Sequence, residues 1–335
     1  MIRSHNLLLL TVLATVMLLG VAVVELPLAS ATKGSYPGTN GKVAFCAFTS
    51  YPKTAIFIMN EDGTDRQQLT SGDFFDDYPC WSPDGTKIVF ARAVLGFADF
   101  AVWVMNADGT DLRQLTSSGY ATSPAWSPDG SRIAFVREPG GYDIYEIDAV
   151  GPTGDGTKRI TNGRNPSWSP DGSKIAFDDG YNIYLADTGT WSVGSALAVG
   201  TGPCWSPDSS KIVFERGPSI WVMNVAGSNQ EQLTTPPLSF FDNDPNWSPD
   251  GTKIVFRRSE DSIWIMNANG SGALDLTPSM LDARSPDYQT LPSITVGGHI
   301  EEPTPKFEIL ASFLAFIGLA ITASIVVLVR NRGKD

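Results

Sequence analysis

Histidine is almost absent from this chain. Only two of its 335 residues are His. They are His5 and His299, so residues 32–298 contain none. That excludes Ser-His-Asp hydrolysis and most zinc chemistry from the middle of the chain, and neither a G-x-S-x-G elbow nor an HExxH helix is present. Cysteine is scarce as well: Cys46, Cys80 and Cys204 are an odd number at irregular spacing, which argues for buried small residues and against a disulfide framework. Basic residues are the minority, 24 Lys and Arg against 36 Asp and Glu. The net charge of −12 repels phosphate backbones and excludes a nucleic-acid partner. Hydrophobic residues at 42% and aromatics at 10% supply a sizeable core and exclude global disorder.

Long apolar runs are missing except at the two ends. Leu7–Val24 follows Arg3 and runs into Ala29-Ser30-Ala31. This reads as a secretory signal over residues 1–31, with an uncleaved anchor as the alternative. Ile309–Val329 holds no charge, and its 21 residues at about 1.5 Å each cover the ~30 Å hydrocarbon core. A transmembrane helix is expected over 309–329. Arg330, Arg332 and Lys334 then mark 330–335 as a basic cytoplasmic tail, and residues 293–308, with Pro303-Thr304-Pro305, as a stalk. The expected location is the cell membrane, single-pass, with the middle of the chain outside and the C-terminus in the cytoplasm.

The middle is a repeat. Pro-x-Trp-Ser-Pro-Asp occurs five times, around Trp81, Trp126, Trp168, Trp205 and Trp247, at spacings of 45, 42, 37 and 42. Each copy is followed by Lys/Arg-Ile-(Val/Ala)-Phe, then by an apolar run such as Ile220-Trp221-Val222-Met223, and then by Gln-Leu-Thr or a similar triplet. Four short β-type runs per repeat, separated by Asp-Gly turns, describe a four-stranded blade that must stack radially on its neighbours. The Trp residues and their counterparts Phe57, Trp103, Tyr145, Tyr184, Trp221 and Trp264 recur once per blade, as inter-blade packing requires. Second strands begin at Lys42, Lys87, Arg132, Lys174, Lys211 and Lys253, which makes six blades. The first blade lacks its innermost strand, and Ser285-Pro286-Asp287-Tyr288 supplies it, with Tyr288 in the Trp position. The fold class is therefore all-β: a six-bladed β-propeller over residues 41–292, closed by a C-terminal strand that leaves no open edge.

The Pro-x-Trp-Ser-Pro-Asp-Gly, Lys-Ile-x-Phe, Ile-Trp-Val-Met-Asn and Gln-Leu-Thr pattern resembles the WD-40-like Pro-Asp repeats of TolB-type propellers over residues 41–292. The α/β domain that precedes the propeller in TolB has no counterpart in this reading, so TolB's lipoprotein partnership is not carried over. Similar propellers precede the hydrolase domain of prolyl-oligopeptidase-like peptidases, and that domain has no counterpart here either.

One propeller face carries near-uniform Ser-Pro-Asp-Gly and Asn/Asp-Gly turns, which hairpin closure alone explains. The other is irregular, and variable loops on a rigid ring are where binding resides. The candidate binding residues lie there: Phe74, Phe75, Asp76 and Asp77; Phe97 and Phe100; Tyr142; and Phe240, Phe241, Asp242 and Asp244. The stretches 74–78 and 240–244 are near-copies. Exposed aromatics beside carboxylates suit a protein hot spot or a sugar ring; packing between blades is the competing role. No cofactor is expected, except that Asp76, Asp77, Asp242 and Asp244 are a candidate Ca2+ set at the channel mouth. A bridge between Cys80 and Cys204 is excluded by their opposite blades, while a contact between Cys46 and Cys80 stays open. Sequons stand at Asn246 and Asn269, the second on a turn. The expected function is a membrane-anchored, extracytoplasmic propeller that binds a protein or an envelope glycan through its irregular face. The alternatives are an acidic, metal-assisted lyase or hydrolase acting on polysaccharide, and a self-associating surface component.

Overall fold

A computed structural model describes residues 37–50, 53–93, 99–117, 119–137, 143–148, 158–259, 262–278, 280, 282–291, 294–296 and 299–301. The signal, the apolar run 309–329, the basic tail and most of the stalk lie outside these residues, as do Phe97 and Tyr142. Among the described residues no helix is long and apolar enough to cross a membrane.

The strands form six four-stranded antiparallel sheets. The chain begins with β1 (Thr39–Ser50), β2 (Lys53–Met59) and β3 (Gln67–Gln68) of blade 1. Blade 2 follows as β4 (Phe75–Trp81), β5 (Lys87–Ala93), β6 (Phe100–Asn106) and β7 (Arg113–Gln114). Blade 3 is β8 (Ala121–Trp126), β9 (Arg132–Arg137), β10 (Asp143–Asp148) and β11 (Lys158–Asn162). Blade 4 is β12 (Arg164–Trp168), β13 (Lys174–Asp178), β14 (Asn182–Asp187) and β15 (Ala198–Val199). Blade 5 is β16 (Thr201–Trp205), β17 (Lys211–Arg216), β18 (Ser219–Asn224) and β19 (Glu231–Gln232). Blade 6 is β20 (Asp242–Trp247), β21 (Lys253–Arg258), β22 (Ser262–Asn267) and β23 (Leu274–Asp275). The chain then returns as β24 (Arg284–Leu291) to pair with β1 and complete blade 1. A small hairpin of β25 (Ile294–Val296) and β26 (His299–Glu301) lies beyond it.

The second strand of each blade is apolar on both sides because each blade is covered by neighbours on both faces. Trp81 at the start of blade 2 packs with Ala44, Cys46 and Ile56 of blade 1 and with Ile88 and Phe90 of its own blade. Trp247 does the same between blades 5 and 6, against Cys204, Val213 and Ile220. At the seam the corresponding residue is Tyr288. It lies with Val255, Ile263 and Ile265 of blade 6 and with Val43 and Phe45 of blade 1. Its register is that of a Trp: Tyr288 opposes Val43 as Trp81 opposes Ile88. Each Trp→Ala change empties one inter-blade core and would cost about 3–5 kcal/mol.

The seam also copies the turn chemistry without the turn. Elsewhere the serine after Trp accepts the backbone N–H that starts the second strand, as Ser82 Oγ does from Lys87 at 2.9 Å. At the seam no turn joins β24 to β1, and Gln289 Oε1 accepts the Lys42 N–H at 3.1 Å. The three cysteines are buried and none forms a disulfide, so Cys46 and Cys80 are not bridged. Asn246 is buried and donates to Asp287 at 2.7 Å, whereas Asn269 is exposed on its turn.

Candidate functional site

The regular face is built from five copies of one hydrogen-bond unit. In each, the serine hydroxyl donates to the aspartate two residues on at 2.5–2.7 Å. The same hydroxyl accepts the N–H of the strand-starting Lys or Arg at 2.9 Å. Partial burial alone would raise the carboxyls of Asp84, Asp129, Asp171, Asp208 and Asp250. The hydrogen bonds from neighbouring hydroxyls and N–H groups outweigh it and hold all five below the ordinary aspartate range. These side chains are occupied in closing hairpins.

On the irregular face the near-copies share a device that their sequence did not announce. Asp76 is fully buried and forms a two-point ion pair with Arg92, at 2.6 and 2.8 Å. Asp242 repeats this with Arg258 at 2.7 and 2.9 Å. The reason is register: Asp76 stands directly opposite Arg92 in blade 2, and Asp242 opposite Arg258 in blade 6. The guanidiniums in turn lie over aromatic rings, Arg92 over Phe74 at 4.5 Å and Arg258 over Trp264 at 4.4 Å.

The four candidate calcium ligands have different surroundings. Asp76 and Asp242 are held by arginines, and Asp77 lies 3.2 Å from Arg284. Asp244 lies on the channel wall. Among the described residues no three His, Cys, Asp or Glu side chains converge to hold a metal ion.

The aromatics separate by role. Phe75 meets Phe100 edge-on at 5.7 Å, and Phe100, 6% exposed, joins Tyr120 in a cluster between blades 2 and 3. Phe240 is half-buried, and Phe241 is 53% exposed. Phe241 is nevertheless fixed in place: its N–H donates to Ser259 Oγ at 2.7 Å, and its C=O accepts the Ser259 N–H at 2.8 Å. Tyr181, 78% exposed in blade 4, is pinned in the same manner. Its N–H donates to Asp179 at 2.9 Å and its C=O accepts the Gly200 N–H at 2.8 Å. Leu238, 96% exposed, crowns the turn that precedes Phe241.

One equivalent residue of each blade lines the channel: Tyr78, Ser123, Asn165, Gly202, Asp244 and Ser285. Each lies three positions before its blade's Trp or Tyr288, and each has φ between 48° and 56°. That left-handed conformation costs a non-glycine residue about 1–2 kcal/mol, yet it recurs in all six blades at a register shift in the innermost strand. The shift is a β-bulge, which turns a side chain toward the axis in five blades and leaves blade 5, with Gly202, open there. A proline follows every one. An innermost strand has no partner on its channel side, so the missing N–H is tolerated.

Chemically the channel is lopsided. Blades 5 and 6 contribute Glu215 and Asp244 to its wall, and the fully buried Asp178 of blade 4 stands behind the lining residues Asn165 and Gly202. Glu215 accepts the Asp244 N–H at 2.8 Å and the Thr201 hydroxyl at 3.1 Å. Burial, and then the negative charge of Asp244, pushes its carboxyl up to about 7. Burial likewise raises Asp178, which accepts N–H groups from Asn165 at 2.9 Å and Gly202 at 3.0 Å. On the opposite arc Asp77 gathers the Cys46 thiol at 2.9 Å, the Ser285 hydroxyl at 3.1 Å and Arg284. Burial and the Asp77 charge raise that thiol well above its ordinary range.

Glu215, Asp178 and Tyr181 were not among the residues singled out from sequence. The signal for the first two was present: the position after Lys-Ile-x-Phe reads Cys46, Ala91, Val136, Asp178, Glu215 and Arg257, with both acids in adjacent blades.

The family described as TolB beta propeller domain matches residues 34–180 and 157–291. No curated protein matches the chain. Among solved structures, TolB from Acinetobacter baumannii is similar at 23% identity, covering 76% of this chain and 67% of that one, with a TM-score of 0.65. A putative TolB from Agrobacterium tumefaciens is 22% identical over 76% of this chain and 94% of its own, with a TM-score of 0.56. The hydrazine synthase of Kuenenia stuttgartiensis, at 16% identity, covers 77% of this chain and 47% of its own with a TM-score of 0.59. At these identities the likeness is one of fold.

Proposed function

The chain belongs to the TolB β-propeller domain family, and from that premise we propose that it is a membrane-anchored, extracytoplasmic binding module whose irregular face grips a protein or an envelope glycan. One observation carries this reading. Phe241 and Tyr181 are each clamped through both backbone N–H and C=O, yet their rings are left in water. A scattered exposed apolar residue needs no explanation, but a rigidly presented aromatic has already lost the freedom that binding would otherwise remove. Both residues, with Leu238, belong to the arc of blades 4–6 whose channel wall is acidic.

The test is site-specific photo-crosslinking in the native host, with the crosslinker in place of Phe241 or, on the opposite face, of Ala226. An adduct formed from position 241 and absent from 226 supports the reading. Adducts from neither position, or from both alike, contradict it.

A polysaccharide-acting enzyme is the second reading, and a separate observation favours it. Glu215, held near neutrality beside the Asp244 charge, has the properties of a general acid. Turnover of a uronic-acid polymer by the wild-type protein, lost in Glu215→Gln, would establish it.

A further inference from the structure

We infer that the irregular face is directed away from the membrane, with the Ser-Pro-Asp-Gly face turned toward it, so that the lipid surface is not what it binds. This rests on the anchored-module reading above and adds to it the direction in which the binding face looks.

The ring fixes where both ends of the chain leave. At the N-terminal end Gly38 N–H donates to Pro249 O at 3.3 Å, and the Asp250 N–H donates to Asn40 Oδ1 at 3.1 Å. Both contacts are to the Ser-Pro-Asp-Gly turn of blade 6. At the C-terminal end Gln289 Nε2 donates to Gly85 O at 2.8 Å, in the equivalent turn of blade 2. Thr39 opposes Leu291 across the seam. Both ends therefore emerge side by side on the regular face, opposite Phe241, Tyr181 and Leu238. The apolar runs 7–24 and 309–329 both attach there, and either one as anchor gives the same orientation.

The tether is too short for the ring to turn over. Beyond Leu291 the hairpin of β25 and β26 folds back, with Ile294 opposite Glu301. It therefore advances the chain only by one strand spacing, about 5 Å. Residues 292–293 and 302–308 add at most about 3.6 Å each, for a full reach of about 40 Å. To lay the irregular face on the bilayer, the tether would have to pass over the rim. That path crosses four strands at about 4.8 Å and then runs the length of β24, eight residues at about 3.3 Å. The sum is about 45 Å before any loop is counted. Residues 25–36, the corresponding tether at the N-terminal end, are bounded at about 43 Å by the same chain geometry, still short of that path.

The experiment uses the full chain in phosphatidylcholine vesicles doped with an acceptor-labelled lipid. Donor fluorophores are placed on Ala226→Cys or Leu238→Cys, both exposed and both on connections of blade 5. Val225 N–H bonds to Ser210 O in the regular face, and Asp242 N–H to Pro218 O in the irregular one, which assigns the two sites to opposite faces. The native thiols are buried, so maleimide reacts at the introduced cysteine. With roughly 25 Å of strand between the labels, transfer from position 226 should exceed that from 238 about twofold. Equal or reversed transfer from protein that floats with the vesicles overturns the orientation and leaves the anchor standing. Protein that does not float with the vesicles overturns the anchor and the orientation together.

Discussion

Asp287, on the strand that closes the ring, accepts the backbone N–H of Trp81 in the next blade at 2.7 Å. Its other oxygen accepts from Asn246 Nδ2 in the preceding blade, also at 2.7 Å. One 5%-exposed carboxylate thus ties blades 6, 1 and 2 together at the seam. Between blades 4 and 5 the same position is Ser167, which meets the Trp205 N–H at 3.4 Å. Hydrogen bonds to a charged acceptor contribute about 1.5–3 kcal/mol each.

Asp287→Ala should therefore lower stability by about 3 kcal/mol or more, since it also leaves a buried N–H and amide unpaired. Asp287→Asn, which keeps an acceptor, should cost less. Urea unfolding of both variants measures the difference; equal stability of wild type and Asp287→Ala would show that the seam is held by β24 pairing alone.

The buried pairs Asp76–Arg92 and Asp242–Arg258 should behave as structural elements. Removing one partner leaves an uncompensated buried charge, so Arg92→Ala should cost about 3–5 kcal/mol. Replacing Asp76 and Arg92 together with apolar residues should cost much less. A double-mutant cycle by chemical denaturation reports this, and additive losses would refute the coupling.

Stability should be greatest at about pH 4 to 4.5 and fall both below that range and from there up to about pH 7. On the acid side, the five turn aspartates are held below their unfolded value of 3.8. Their contribution is present above that pH and is lost as the pH falls through the folded values. On the alkaline side Glu215 is raised from 4.5 to about 7. Its contribution is complete below 4.5 and is lost as the pH rises through about 7. Thermal midpoints across pH 3–9 should trace this dome, and Glu215→Gln should flatten its alkaline limb. An unchanged alkaline limb in that variant would assign the decline to another group.

The repeat made the propeller legible because Trp spacing and Lys-Ile-x-Phe strands report burial on both faces of a blade. Even the seam could be read, since Tyr288 occupies a Trp position one blade short of a full set. The candidate site was legible only as a face. Asp76 and Asp242 read as free acids because an ion pair depends on which residue lies opposite across the strand, and Arg92 and Arg258 follow sixteen positions later. Glu215 escaped notice for a related reason. Its environment is made by Asp244 and Thr201 from neighbouring strands, which the local sequence does not show.

The central claim is that the arc of Tyr181, Leu238 and Phe241 is a binding surface. Its most direct measurement is crosslinking capture from envelope extract by the full-length wild-type chain and by the Tyr181→Ser, Leu238→Ser, Phe241→Ser variant, with Ala226→Ser as the opposite-face control and thermal midpoints measured for all three. The account predicts one protein or glycan captured by wild type and control and lost by the triple variant, at unchanged midpoint. Equal capture by all three would contradict it.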